Sequence, residues 1–92
     1  MRNRSCELRH VSTLEMLFEQ LSRQLPLPAG QYYSLDTLYD VLRHGVDGPF
    51  EIYWRNTDDA RAGLGPDLYA SILEILSTVA RERRDVTLDI HH

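Results

Sequence analysis

Two aspartates, Asp36 and Asp40, stand four residues apart near the middle of this 92-residue chain. On a helix this spacing places both carboxylates on one face, where one could act as a catalytic acid and the other as a base. The same face could instead dock a basic partner, or it could simply be solvated. Carboxylates are commonplace on helix surfaces, so the residues alone favour a solvated face first, a docking face second and catalysis last.

Tyrosines lie close to this acidic pair in the sequence. Tyr39 precedes Asp40 directly, and Tyr32 and Tyr33 stand just before the helix. Tyrosine is enriched at protein interfaces, but it is also common in the partly buried shell around a core. Both interpretations of these tyrosines stay open.

Other kinds of chemistry find little support in the sequence. Cys6 is the only cysteine, so no disulfide within the chain and no cysteine zinc motif can form. It also stands in a predicted strand, with no histidine arranged nearby to activate it as a nucleophile. No histidine pair has metal-motif spacing such as H-E-x-x-H, so we predict no metal and no cofactor. The histidines are His10, His44, His91 and His92.

The acidic pair belongs to a helix predicted within the stretch from Ser34 to Asp47. Ser34 is the predicted N-cap, and glycine at position 45 breaks the periodicity. One face is apolar and would anchor the helix, while the opposite face is polar and would be presented to solvent or to a partner. The apolar face comprises Leu35, Leu38 and Leu42, and the polar face comprises Asp36, Asp40, Arg43 and His44.

Hydrophobic periodicity predicts the other elements. Alternation predicts strands at residues 4–9, 50–55 and 86–90, and helical spacing predicts helices at 13–25 and 67–83 with a short helical turn at 58–62. Ser12 and Glu15 form a predicted capping box for the first helix. Arg81, Arg83 and Arg84 suit the C-terminal end of the long helix better than a phosphate site. Strands separated by helices imply an α/β fold with a small three-stranded parallel sheet and about four helices.

The charge is concentrated in the middle of the chain. The net charge is −4 and there is no lysine, and residues 32–67 hold seven acids against three arginines. This balance disfavours nucleic-acid binding and favours a cationic partner. Residues 1–92 are long enough for one small domain, and no apolar run resembles a signal peptide or a membrane span, so we expect a cytoplasmic location.

Three features of the chain resemble the barstar family of intracellular ribonuclease inhibitors. They are the stretch L-P-x-x-x-Y-Y-S-L-D-T-L-Y-D-V-L from Leu27 to Leu42, the strand F-E-I-Y-W-R from Phe50 to Arg55 and the order of elements. The resemblance extends over nearly the whole chain. It implies that this helix and the loop before it plug a ribonuclease active site, with the carboxylate of Asp40 in the place of a substrate phosphate and Asp36 as a flanking acid.

The resemblance also implies a set of partner-binding residues: Asp36, Asp40, Asp47, Tyr32, Tyr33, Tyr39, Arg43 and Glu82. Several positions depart from the family pattern. In the loop, Ala29, Gly30 and Gln31 intervene before the tyrosines and Ser34 replaces an asparagine, so the loop must be shaped differently. Arg43 replaces a small neutral residue, Gly45 replaces a tryptophan, and Thr78 occupies the position of an acid on the last helix, which leaves only Glu82 there. These changes remove contacts and add a positive charge beside Asp40.

We therefore expect a barstar-like inhibitor, not an enzyme, that is monomeric when free and binds a basic ribonuclease of extracellular or toxin type. The alternative on the same scaffold is an immunity or adaptor protein whose partner is a different toxin or is not a ribonuclease. A small enzyme using Asp36 and Asp40 is the remaining rival. No membrane and no direct nucleic-acid partner is expected.

Overall fold

The computed structural model describes residues 4–27 and 34–91. Within these ranges the chain forms three strands, four α-helices and one π-helical segment. In chain order they are β1 (Arg4–Leu8), α1 (Leu14–Gln24), α2 (Leu35–Asp40), the π-helical segment (Val41–Gly45), β2 (Phe50–Trp54), α3 (Thr57–Leu64), α4 (Pro66–Glu82) and β3 (Val86–Ile90).

The three strands form one parallel sheet in the order β1-β2-β3. The central strand has the clearest alternation, because Phe50, Ile52 and Trp54 are buried while the residues between them are partly exposed. Cys6 in β1 pairs with Ile52, which in turn pairs with Leu88 in β3. The predicted α/β fold with a three-stranded parallel sheet and four helices is therefore confirmed.

Helix α1 begins one residue later than the predicted capping box requires. The hydroxyl of Thr13 accepts a hydrogen bond from the backbone N–H of Met16 at 3.1 Å, so Thr13 is the N-cap. Ser12 instead donates to the sulfur of Met16 at 3.0 Å. The predicted pairing of Ser12 with Glu15 is wrong, because two adjacent residues can both cap and the local sequence does not distinguish them. The apolar face of α1 is buried as predicted at Leu17, Phe18 and Leu21.

Helix α4 is the longest element and packs against α2, α3, the π-helical segment and β3. Pro66 stands at its start, where a missing backbone N–H is tolerated, and Ile72, Leu76 and Val79 form its buried face. The helix begins and ends one residue before the predicted range of 67–83. Helix α3 extends beyond the predicted turn at 58–62 and runs to Leu64, where Gly65 with φ of 90° ends it.

The helix that carries the aspartates keeps α-helical geometry only as far as Asp40. It continues without a break into the π-helical segment, whereas the sequence pattern predicts uniform 3.6-residue periodicity. Both parts still bury the predicted apolar stripe, since Leu38 and Leu42 are fully buried and Leu35 packs against the core. The wider turn changes the direction of the side chains that follow Asp40.

Candidate functional site

The polar face of α2 presents Asp36 and Asp40 to solvent. The hydroxyl of Ser34 accepts a hydrogen bond from the backbone N–H of Thr37 at 3.1 Å, which confirms Ser34 as the N-cap. Leu38 is fully buried beneath this face and anchors it. Within residues 4–27 and 34–91, neither aspartate takes part in an ion pair, so both carboxylates are available to a partner.

Three residues predicted to bind a partner contact one another across the gap between α2 and α4. The hydroxyl of Tyr39 donates a hydrogen bond to Oε1 of Glu82, and Nε of Arg43 lies 3.6 Å from the same oxygen. We call Tyr39, Arg43 and Glu82 the Glu82 cluster. Because Arg43 and Glu82 offset each other's charge, the unpaired negative charge of this face lies at Asp36 and Asp40.

The Glu82 cluster changes the acidity of its tyrosine. The hydrogen bond from Tyr39 to the Glu82 carboxylate raises the pKa of Tyr39, because the bond and the nearby negative charge both favour the protonated hydroxyl. Tyr39 is therefore a neutral hydrogen-bond donor at physiological pH, and its hydroxyl is already engaged before any partner binds.

We expect Glu82→Gln to lower the pKa of Tyr39 towards its ordinary value of about 10, because the substitution removes the charge that opposes ionisation. In the parent protein, the hydrogen bond of protonated Tyr39 stabilises the fold fully when the pH is below the ordinary pKa, which is that of the unfolded chain. This stabilisation is lost as the pH rises through the raised pKa of Tyr39 in the folded state. Titration of the Tyr39 ring followed by NMR measures the change. Tyr53 is an internal control, because its pKa is raised by a bond to Glu51 and should not respond.

Arg83 holds the end of the π-helical segment. Its Nη1 donates hydrogen bonds to the carbonyl oxygens of Leu42 at 2.9 Å and Val46 at 2.7 Å. Its Nε and Nη2 bind the carboxylate of Asp85 at 3.0 and 2.8 Å, and the guanidinium lies 5.2 Å from the centre of the Phe50 ring. The side chain is only 11% exposed. Carbonyls at a helix end lack partners within the helix, and Arg83 supplies the donors.

We expect Arg83→Gln to lower the free energy of unfolding by about 1.5–3 kcal/mol, because charge-assisted hydrogen bonds to two carbonyls and one carboxylate are lost. The pKa of Asp85, which is lowered by its bond to Arg83, should rise in the same variant. Urea unfolding measures the first effect. Arg84→Gln is the matched control, since Arg84 is exposed and its removal should change stability by less than about 0.5 kcal/mol. Equal losses in both variants would mean that the bonds of Arg83 do not stabilise the fold.

The other predicted partner-binding residues lie apart from this cluster or outside the described residues. Asp47 lies just beyond the π-helical segment and is exposed. Gly45, the last residue of the segment, is exposed as well. Thr78 is partly buried on α4 and accepts a hydrogen bond from Arg81 at 3.2 Å. Tyr32 and Tyr33 lie outside the described residues.

The described residues offer few groups for catalysis. Cys6 is buried in β1, and burial raises the pKa of its thiol to about 12, so it is not a thiolate nucleophile at neutral pH. In residues 4–27 and 34–91, no group of three or more histidine, cysteine and acidic side chains is placed to hold a metal ion. Over the same ranges, no helix is both long and apolar enough to cross a bilayer.

Comparison with known proteins gives one family. The family model described as "Barstar (barnase inhibitor)" matches residues 1–91 of the chain. A comparison with curated proteins gives no match.

Proposed function

This chain belongs to the barstar family, and we propose that it is a proteinaceous inhibitor of a cationic, barnase-type ribonuclease and not an enzyme. The observation that carries the proposal is the exposed carboxylate of Asp40, which has no ion-pair partner among the described residues, on a helix that Leu38 and Leu42 anchor in the core. The single, buried cysteine suits a reducing compartment, so we place the inhibition in the cytoplasm.

The proposed mechanism follows from the charges of the two surfaces. A ribonuclease holds the phosphates of RNA with basic side chains, and these remain as a concentrated positive charge when the active site is empty. The carboxylate of Asp40 would enter this site as an anion in the place of a phosphate. Asp36, one turn earlier on the same face, would add negative charge at the edge of the contact.

The anchoring of the face supports this mechanism. Long, flexible side chains lose rotamer freedom when they bind, whereas a short aspartate on a packed helix loses little. The buried leucines beneath α2 and the bonds from Arg83 to the following segment hold the backbone that carries Asp40. The face is therefore preorganised, which reduces the free energy that binding must spend on ordering.

The proposal is tested by titrating the protein into an RNA-cleavage assay with a barnase-type ribonuclease expressed alongside this chain. Cleavage should fall to near zero at one protein molecule per nuclease molecule. Full cleavage at a severalfold molar excess of correctly folded protein would show that the chain does not inhibit that nuclease.

We expect association with the nuclease to slow as salt is raised, because a chain of net charge −4, with Asp36 and Asp40 exposed on the docking face, would approach a basic active site. Barnase with barstar is itself a standard example of charge-steered association, so the expectation rests on family membership as well as on the charge count. Stopped-flow measurement of the association rate between low and high ionic strength checks it. A rate that does not change with salt would place the docking surface elsewhere.

A second candidate function is an immunity or adaptor protein that binds a partner other than a ribonuclease. It is favoured by Arg43, which adds a positive charge to the face of α2 and the π-helical segment and pairs with Glu82. A partner that presents an acid opposite Arg43 would suit this charge. Recovery of a partner without ribonuclease activity from the source cells, bound through Arg43, would support this second function.

A further inference from the structure

A cavity of about 390 Å³ opens at the carboxyl end of the parallel sheet. Each strand supplies part of its lining with the residues that directly follow it: Arg9 and His10 after β1, Arg55 and Asn56 after β2, and His91 after β3. Ligands of open parallel sheets bind outside the carboxyl ends of the strands, typically where the strand order reverses, whereas this sheet runs in the unreversed order β1-β2-β3. The volume lies in the range of small-molecule sites and exceeds what a bare inorganic anion fills.

The charged groups that line the cavity are all basic. The lining holds two arginines and two histidines and, among the described residues, no acid. Behind the lining, Nη2 of Arg9 and Nε of Arg55 lie 2.6 and 2.5 Å from the same oxygen of Glu7. Two guanidinium groups thus share one carboxylate, which leaves several of their N–H donors without a bond to Glu7.

The two histidines lie on the other sides of the cavity, each with one ring nitrogen against a carboxylate. Nδ1 of His10 lies 3.1 Å from a carboxylate oxygen of Asp59, and Nε2 of His91 lies 3.3 Å from one of Asp89. These contacts hold each ring in place through one nitrogen. The ring of His91 also stacks on Tyr53, with 6.1 Å between centroids.

Backbone strain is found at the same place. In the part of the chain that the structure describes, His10 and Asn56 are the two residues other than glycine with positive φ, at 51° and 57°. Both line the cavity. Asparagine and histidine adopt this conformation more often than most residues other than glycine, but it is uncommon for both, and residues held in it cluster at binding sites.

The cavity is separate from the proposed ribonuclease-binding face. Arg83, which binds the end of the π-helical segment, packs over Phe50 at the amino end of β2, whereas Arg55 and Asn56 follow its carboxyl end. A five-residue strand spans about 16 Å. A ligand in the cavity would therefore not overlap the proposed ribonuclease-binding face.

We propose that this cavity binds a phosphorylated small molecule, with its phosphate held by Arg9 and Arg55 and its remaining atoms between His10, Asn56 and His91. Arginine binds phosphate through paired N–H donors, and the two guanidinium groups converge from adjacent strands. The phosphate would accept hydrogen bonds from N–H groups of Arg9 and Arg55 that are now directed at Glu7.

The test is an NMR titration of the whole chain with four probes: glucose 6-phosphate, adenosine 5′-monophosphate and their unphosphorylated counterparts, glucose and adenosine. At least one phosphorylated probe should give saturable shifts confined to the amides around the cavity, and its unphosphorylated counterpart should not. Comparison of the two phosphorylated probes distinguishes a sugar phosphate from a nucleotide. Arg9→Gln and Arg55→Gln should each weaken binding about tenfold.

Arg4→Gln is the matched control, because it removes the same charge at the opposite, amino end of β1 and should leave binding unchanged. Both cavity arginines are more than half exposed, so their variants should fold, and the NMR spectrum verifies this. Shifts scattered over the surface, equal weakening by Arg4→Gln, or no saturable binding of either phosphorylated probe would overturn the proposal.

Discussion

Asp40→Ala is expected to weaken the complex with the nuclease by at least about 2 kcal/mol, a loss of about thirtyfold or more in affinity. Truncation would leave the basic groups of the active site desolvated and unpaired, and losses of this size are typical of hot spots, of which barstar itself supplies an example. The unfolding free energy should change by no more than about 1 kcal/mol, because Asp40 is exposed and forms no ion pair within the part of the chain that the structure describes. Isothermal titration and urea unfolding measure the two quantities.

Arg43→Ala is the matched control for Asp40→Ala. It should strengthen the complex, because it removes a positive charge from the face and frees the carboxylate of Glu82 from its ion pair. If Asp40→Ala binds like the parent protein, Asp40 does not take the place of a phosphate. If only Arg43→Ala loses affinity, the partner presents an acid at that point and is not a ribonuclease of the barnase type.

Leu17→Ala and Leu76→Ala are each expected to lower the unfolding free energy by about 2–5 kcal/mol. Leu17 is fully buried on α1 and Leu76 is 1% exposed on α4, so truncation removes buried methyl groups and leaves a cavity. Urea unfolding measures the loss. Leu68→Ala, at a partly exposed position of α4, should cost less. A loss below about 1 kcal/mol for Leu17 or Leu76 would place that side chain outside the stabilising core.

The strands, the long helices and the parallel sheet could be predicted from the sequence because each has a local cause. Phe50, Ile52 and Trp54 alternate with polar residues, and the apolar spacing of α1 and α4 matches one helix face. The first cap was predicted one residue early, because Ser12 and Thr13 are chemically equivalent as caps. The local pattern thus predicts the kind of each element more accurately than the residue at which the element begins.

The π-helical segment could not be predicted in this way. Its end is bound by Arg83, which lies 41 residues from Leu42 in the sequence. In the sequence, Arg83 is one of three arginines near a helix end, and nothing local distinguishes it from Arg81 or Arg84. Its role depends on a contact between distant segments, which periodicity does not encode.

The exposure of the two aspartates could be predicted from the sequence, but the pairing of the side chains near them could not. Asp36 and Asp40 are exposed on one helix, as their four-residue spacing predicts. The bonds that Glu82 forms with Tyr39 and Arg43 join residues about 40 positions apart, so no spacing rule could have found them. The cavity at the carboxyl end of the sheet was missed for the same reason, although the position of Arg9 and Arg55 after parallel strands is a signal that could have indicated it.

Whether the face with Asp40 occupies the ribonuclease active site is tested most directly by inhibition constants measured at increasing concentrations of RNA. If Asp40 takes the place of a substrate phosphate, the protein and the RNA cannot bind together. The apparent inhibition constant should then rise linearly with the RNA concentration, as in competitive inhibition. An apparent inhibition constant that stays the same at every RNA concentration would contradict the proposed mechanism, because the protein would then bind the nuclease outside its active site.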